Sequence, residues 1–251
     1  LQIGVGAAAG SLGNGGTVTI ASGAEVDVFR NDTALTINNP IDGSGTFRVR
    51  STGNAGEGSY RMTSAGTFSG ETIVDKARLI QEDPLSLGTS NITVQNNATL
   101  QLNLGGNTIN NTLTLNSLGW NNGTAQLGAL EFASTTADTY AGAITLAADS
   151  RIGATQNGTI SGVIGEAGGV GDSFGFTQVG ANTLTLTGTN TYTGKTAIDT
   201  GTLQLGAGGT IGSLASGSDA DFVNDGTFVI NRSDAVTIFQ DISGSGNLVQ
   251  Q

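Results

Sequence analysis

The stretch from Gly180 to Gly206, GANTLTLTGTNTYTGKTAIDTGTLQLG, limits the possible folds more than any other part of the chain. Thr183 to Thr187 alternates strictly between polar and apolar residues, as does Thr202 to Leu205. Alternation of period two sends one residue set to a buried face and the other to water, so both pieces read as strands. Thr196-Ala197-Ile198 is a shorter apolar piece between them. Gly188, Gly194, Gly201 and Gly206 interrupt the pattern at intervals of five to seven residues. Glycine suits a corner that needs positive φ or has no room for a Cβ. The reading is therefore of very short strands joined at tight corners.

Related units recur when the chain is laid on itself. Leu1-Gln2-Ile3-Gly4 falls on Leu203-Gln204-Leu205-Gly206 at an offset of 202 residues, and Gly10-Ser11-Leu12 falls on Gly212-Ser213-Leu214. After a slip of one residue, Ala34 to Ile37 matches Ala235 to Ile238, and Ile41-x-Gly43-Ser44-Gly45 matches Ile242-x-Gly244-Ser245-Gly246. Met62 to Leu79 aligns with Leu186 to Leu203 at an offset of 124, placing Phe68 on Tyr192, Gly70 on Gly194, Thr72 on Thr196 and Asp75 on Asp199. In that copy Ser64 and Ala77 replace Gly188 and Gly201. The chain is read as one domain over 1–251 with related units near 1–50, 62–104 and 180–251. It opens and closes inside strand patterns, which reads as a portion of something longer.

With strands every eight to twelve residues, a sandwich, a barrel and a solenoid all fit. Long-range similarity and glycine corners favour the solenoid, in which each turn buries its inward residues against the turns above and below. The expected class is all-β, a single-stranded right-handed parallel β-helix. A closed sandwich is the alternative. An ice-binding solenoid would need Thr-x-Thr in register on one face; Thr183-x-Thr185-x-Thr187 is the best run, and its neighbours in sequence do not repeat it.

Composition narrows the function. A net charge of −11 argues against nucleic acid, which needs clustered Lys and Arg. Arg48, Arg50, Arg61 and Arg78 read as scattered solvent-facing residues. No apolar run is long enough to span a membrane as a helix. The chain has no cysteine, which suits a protein threaded unfolded through an oxidising compartment. It also has no histidine, so a Ser-His-Asp triad and a His-ligated zinc site are excluded. Gly171-Asp172-Ser173-Phe174-Gly175 meets G-x-S-x-G in form but lacks both the strand-to-helix setting and a base for Ser173. Gly194-Lys195-Thr196 resembles the end of a phosphate loop without its first glycine or its helix. Asp219, Asp221 and Asp225 are the best carboxyl group for glycosidase chemistry or weak calcium binding, and a solvated acidic loop explains them better. Asn-Gly pairs at Asn14, Asn122 and Asn157 fit turns or stacked asparagine ladders. No catalytic, cofactor or metal residues are assigned.

The central stretch resembles the passenger-associated transport repeat of bacterial autotransporters. The matching residues are Gly180, Leu184, Leu186, Gly188, Asn190, Thr191, Tyr192, Thr193, Gly194, Gly201, Thr202, Leu203, Gln204, Leu205 and Gly206, with Lys195 where the family often has another glycine. The resemblance implies turns of roughly 22 residues, hence about eleven turns in a rod on the order of 50 Å long if turns stack about 4.8 Å apart. It implies a non-enzymatic passenger segment that promotes its own secretion through its C-terminal outer-membrane barrel and stands on the cell surface or is released. As a stalk or contact surface it would meet other passengers or a surface ligand in adhesion or self-association. The alternative function is a β-helix enzyme acting on polysaccharide.

Overall fold

The computed structural model describes residues 1–251 apart from 14, 122, 125, 169–171 and 215–220. Short strands wind through about eleven turns of a solenoid, and no helix occurs among the described residues. Among the described residues, three parallel sheets of eight, ten and seven strands form three faces. Face one has eight strands, running from Gln2–Ile3 to Ile164–Glu166. Face two has ten, from Leu35–Ile37 to Ile242–Ser243. Face three has seven, from Thr108–Ile109 to Asn247–Gln250. In the early turns a two-stranded piece, Val18–Ile20 beside Ile41–Gly43, takes the third position.

Parallel pairing between successive turns stacks like upon like. On face two Tyr60, Leu79, Leu100, Leu130, Ile152, Gln178 and Ile198 lie in one column, all pointing inward. Every member is fully buried. Burial of each large apolar side chain in such a column contributes about 1.5–3 kcal/mol, which is how strands of three to five residues become stable. On face three the polar members of the alternation face outward. Thr108, Thr139, Thr159 and Thr185 stack outward on face three, and a second column holds Thr183, Thr202 and Thr227. The columns overlap only in the turn of Thr183–Leu186, so paired ranks of threonine do not form.

The sequence copies occupy different faces. Ile3 lies on face one, Leu79 on face two and Leu203 on face three. From Ile3 the column rises through Val28 and Val49 to Val74, three turns up, and Leu79 is on the next face. From Leu79 it rises five turns to Ile198, and Leu203 is again on the next face. Each copy is thus rotated by one face from the one before. Pairing does not always follow the copy: Leu35–Ile37 is a strand on face two, whereas 235–238 crosses the face-one position without one.

The arginines differ from the scattered set expected. Arg48 pairs with Glu25, Arg50 with Asp27 at 2.7 Å, and Arg61 with Glu82 at 2.5 Å. Arg78 lies 4.6 Å from the ring centre of Trp120, and its burial lowers its pKa. Stacked strands set side chains of neighbouring turns side by side, so residues more than 20 positions apart in sequence become ion-pair partners.

Candidate functional site

The turn that carries the central stretch is built differently from those below it. Face one has no strand after Ile164–Glu166 among the described residues. There 187–195 crosses that position with only scattered backbone bonds to the turn below, such as the Thr191 N–H to the Ile164 carbonyl at 2.8 Å. Asn190 supplies bonds that this interrupted ladder lacks. Its Oδ1 accepts from the Ile164 N–H of the turn below at 2.9 Å, and its Nδ2 donates to the Ser213 carbonyl of the turn above at 2.6 Å. The Asn190 N–H donates to Ser213 Oγ at 2.8 Å. Asn190 is buried. One amide side chain therefore stands in for backbone across two turns, which matters because an unpaired buried N–H or C=O costs about 1–3 kcal/mol. Asn39 and Asn111 bridge to one turn only, Asn39 donating to the Gly16 carbonyl and Asn111 to the Gly88 and Ser90 carbonyls of the preceding turn. These asparagines are single bridges to backbone, not stacked ladders. Asn157 accepts from the Thr183 N–H; Asn14 and Asn122 lie outside the described residues.

Tyr192 is wholly buried beside Asn190. Its ring meets Phe176 edge to face at 5.5 Å, and its hydroxyl lies 2.7 Å from Thr196 Oγ1. The hydroxyl, which the equivalent Phe68 lacks, thus has a partner here. Thr193 donates to Glu166 at 2.6 Å and the Phe174 N–H donates to the same carboxylate at 2.7 Å. Burial pushes the Glu166 pKa up, but these hydrogen bonds outweigh it and hold the carboxyl below its usual range.

Leu184, Leu186, Leu203 and Leu205 are buried in the column of face three, between Gly158 and Ile160 below and Phe228 and Ile230 above. The glycines act in two ways. A Cβ on Gly188 would lie 2.1 Å from the Gly162 carbonyl oxygen, and one on Gly194 2.3 Å from the Phe174 carbonyl carbon. Gly201, at φ +74°, takes the left-handed region. Gly180 and Gly206 also turn corners at positive φ. Glu166, Phe176 and Ser213 complete the corner and were not read from the sequence as part of it. Ser213 sits in the Gly212-Ser213-Leu214 turn that recurs along the chain, the one signal that pointed there.

The other candidates stay apart. Ser173 lies 3.4 Å from the Thr193 hydroxyl, and Gly171 of its motif lies outside the described residues. Asp219 also lies outside them, and Asp221 is exposed. Asp225 accepts from the Ser245 N–H and hydroxyl, which lower its pKa and close a turn. Among the described residues no group of three or more acids gathers as a metal site would require.

The chain matches the Passenger-associated-transport-repeat family over residues 176–205, the turn just described. It is also 43% identical over 95 residues to the adhesin BmaC autotransporter of Brucella suis biovar 1 (strain 1330). That alignment covers 37% of this chain and 2% of the adhesin, so the chain spans a small fraction of that protein's length. No solved structure matches. The transport repeat read from Gly180–Gly206 is therefore present, and it is carried on a β-solenoid.

Proposed function

We propose that this chain is a structural segment of an autotransporter passenger, which drives its own export by folding turn upon turn outside the outer membrane and then serves as stalk or contact surface on the cell exterior. The observation that carries the reading is the Asn190 bridge. Each turn leaves an edge of unpaired backbone that only the following turn satisfies, and at the transport repeat one side chain ties three successive turns together. A turn that docks and closes these bonds outside resists sliding back through a pore as unfolded chain.

The partner during export is the passenger's own C-terminal outer-membrane barrel. Adhesion, the role in the name of the Brucella relative, and self-association are the surface roles assigned to the rod, without catalysis. A net charge of −11 makes two rods repel at low ionic strength, so association between them rises with salt. The test introduces Leu203→Ala into a full-length passenger and compares surface exposure, by protease shaving, with total synthesis, by immunoblot. Exposure should fall more than synthesis. Equal exposure despite a measured loss of stability would leave the repeat a structural role only.

A further inference from the structure

Two excursions from the solenoid, 51–58 and the described residues of 117–128, leave it at the same corner, between face one and face two, three turns apart. They fold toward one another over the two intervening turns. The Trp120 Nε1–H donates to the Glu57 carbonyl at 2.7 Å, and the Gly56 N–H donates to the Asn121 carbonyl at 2.9 Å. Arg78 lies under the indole, which fixes the latch from below. Between the excursions is a cleft of about 510 Å³, within the range usual for small-molecule sites.

The floor of that cleft is made by the tight corners of the intervening turns, at Lys76 and at Asn96 and Asn97. These are the only non-glycine residues at positive φ among the described residues, with φ between 53° and 60°. Asparagine takes that region readily; lysine does so at a cost that glycine would avoid. A lysine is nevertheless present, and it enters no ion pair among the described residues. The walls and floor carry the amides of Asn54, Asn97, Asn121 and Gln126, the first three exposed. Asn54 is turned to Thr52 and Glu57, Gln126 Nε2 donates to the Gly119 carbonyl, and Asn121 Oδ1 accepts from the Gly123 N–H. That leaves the Asn97 amide, Asn121 Nδ2 and Gln126 Oε1 facing a ligand. Amides carry both donors and acceptors, the combination that pairs with hydroxyl groups.

We infer that this cleft is a binding site for a short neutral oligosaccharide. Its hydroxyls would take the Asn97 amide, Asn121 Nδ2, Gln126 Oε1 and the Lys76 ammonium. A polyanionic glycan is disfavoured: Glu57 and Asp75 adjoin the cleft, and the whole chain repels negative charge. The latch pre-forms the walls, so little ordering is spent on binding. This inference is independent of the export reading, and either can fail without the other.

The experiment is saturation-transfer NMR on the 251-residue chain with maltotriose, chitotriose and lactose as neutral probes and trigalacturonate as the acidic one. Saturation should pass to at least one neutral probe, and Asn97→Ala should weaken that binding at least tenfold while the remote Asn157→Ala leaves it unchanged. Lys76→Gly separates binding from structure: thermal stability should hold or rise as strain is relieved, while binding falls. Transfer to none of the neutral probes, binding indifferent to Asn97→Ala, or binding of trigalacturonate alone would each overturn the assignment.

Discussion

The Phe68 and Tyr192 corners are copies of one sequence unit set on different faces of the same rod. In the first copy the chain leaves face two at Met62, passes Phe68 and returns to face two at Leu79 by way of Glu71–Asp75 on face one. In the second it leaves face three at Leu186, passes Tyr192 and returns to face three at Leu203 by way of Thr196–Ile198 on face two. The inward neighbours nevertheless correspond. Leu79 lies between Tyr60 and Leu100, and Leu203 between Leu184 and Phe228, one aromatic and one leucine in each case. The unit thus encodes a corner and its two flanking strands, and any of the three faces can receive it. What determines the face is the number of residues in the turns between copies.

The strongest test of that equivalence is truncation of the paired leucines. Leu79→Ala and Leu203→Ala should each cost about 2–5 kcal/mol, since both side chains are fully buried. Measured by chemical denaturation, the two costs should agree to within about 1 kcal/mol, well inside the spread usual for such truncations. A severe loss at one position and a mild one at the other would show that the faces are not interchangeable.

The sequence carried the unit but not its placement. Thr183–Leu186 and Thr202–Leu205 are strands because strict alternation marks an inward and an outward set. Phe176–Val179 gave no such mark, because Gln178 points inward and is fully buried, its amide donating to nearby carbonyls. Ser150–Ala154 was hidden by Gly153, where a Cβ would lie 1.8 Å from the Glu131 carboxylate of the turn below. The faces were illegible because turn length varies: Leu79 to Leu100 is one turn, and Leu100 to Leu130 is one turn lengthened by the 117–128 excursion. The cleft was illegible for the same reason, since its two walls are joined by contacts 63 residues apart. At the transport repeat the motif residues could be named, but Glu166 and Ser213 could be reached only through stacking.

A middle-sized effect comes from how each copy closes the gap before its aromatic residue. The second copy uses the Asn190 side chain; at the equivalent place in the first stands Gly66, whose own N–H donates to the Leu85 carbonyl at 3.0 Å. A Cβ there would lie 2.2 Å from the Ile41 carbonyl oxygen. Asn190→Ala leaves the Ile164 N–H and the Ser213 carbonyl without that partner and should cost about 2–3 kcal/mol. Gly66→Asn should not improve the first copy and should destabilise it through the clash. A neutral Gly66→Asn, judged by its denaturation midpoint, would mean that one solution serves both corners and that the difference between them is incidental.

The smallest effect concerns a single hydroxyl. Thr196 and Thr72 are equivalent buried threonines, and each needs a partner for its Oγ1. Thr196 finds the Tyr192 hydroxyl at 2.7 Å, four residues away. Thr72 stands four residues after Phe68, which has no hydroxyl, and finds Ser90 Oγ of the next turn at 2.9 Å instead. The ring is common to both corners, and the polar atom is supplied from within the turn in one and from the neighbouring turn in the other. Tyr192→Phe and Ser90→Ala should therefore each cost about 1 kcal/mol, the value of a buried hydrogen bond lost with little change of volume. If the Phe68 ring points at Thr72 as Tyr192 points at Thr196, Phe68→Tyr alone should also destabilise, because the new hydroxyl would compete with Ser90 for Thr72 Oγ1. Combined with Ser90→Ala, it should recover most of the loss, giving a double-mutant cycle with a favourable coupling. If the two changes simply add, the Phe68 ring does not point at Thr72 as Tyr192 points at Thr196, and the correspondence of the two corners ends at the backbone.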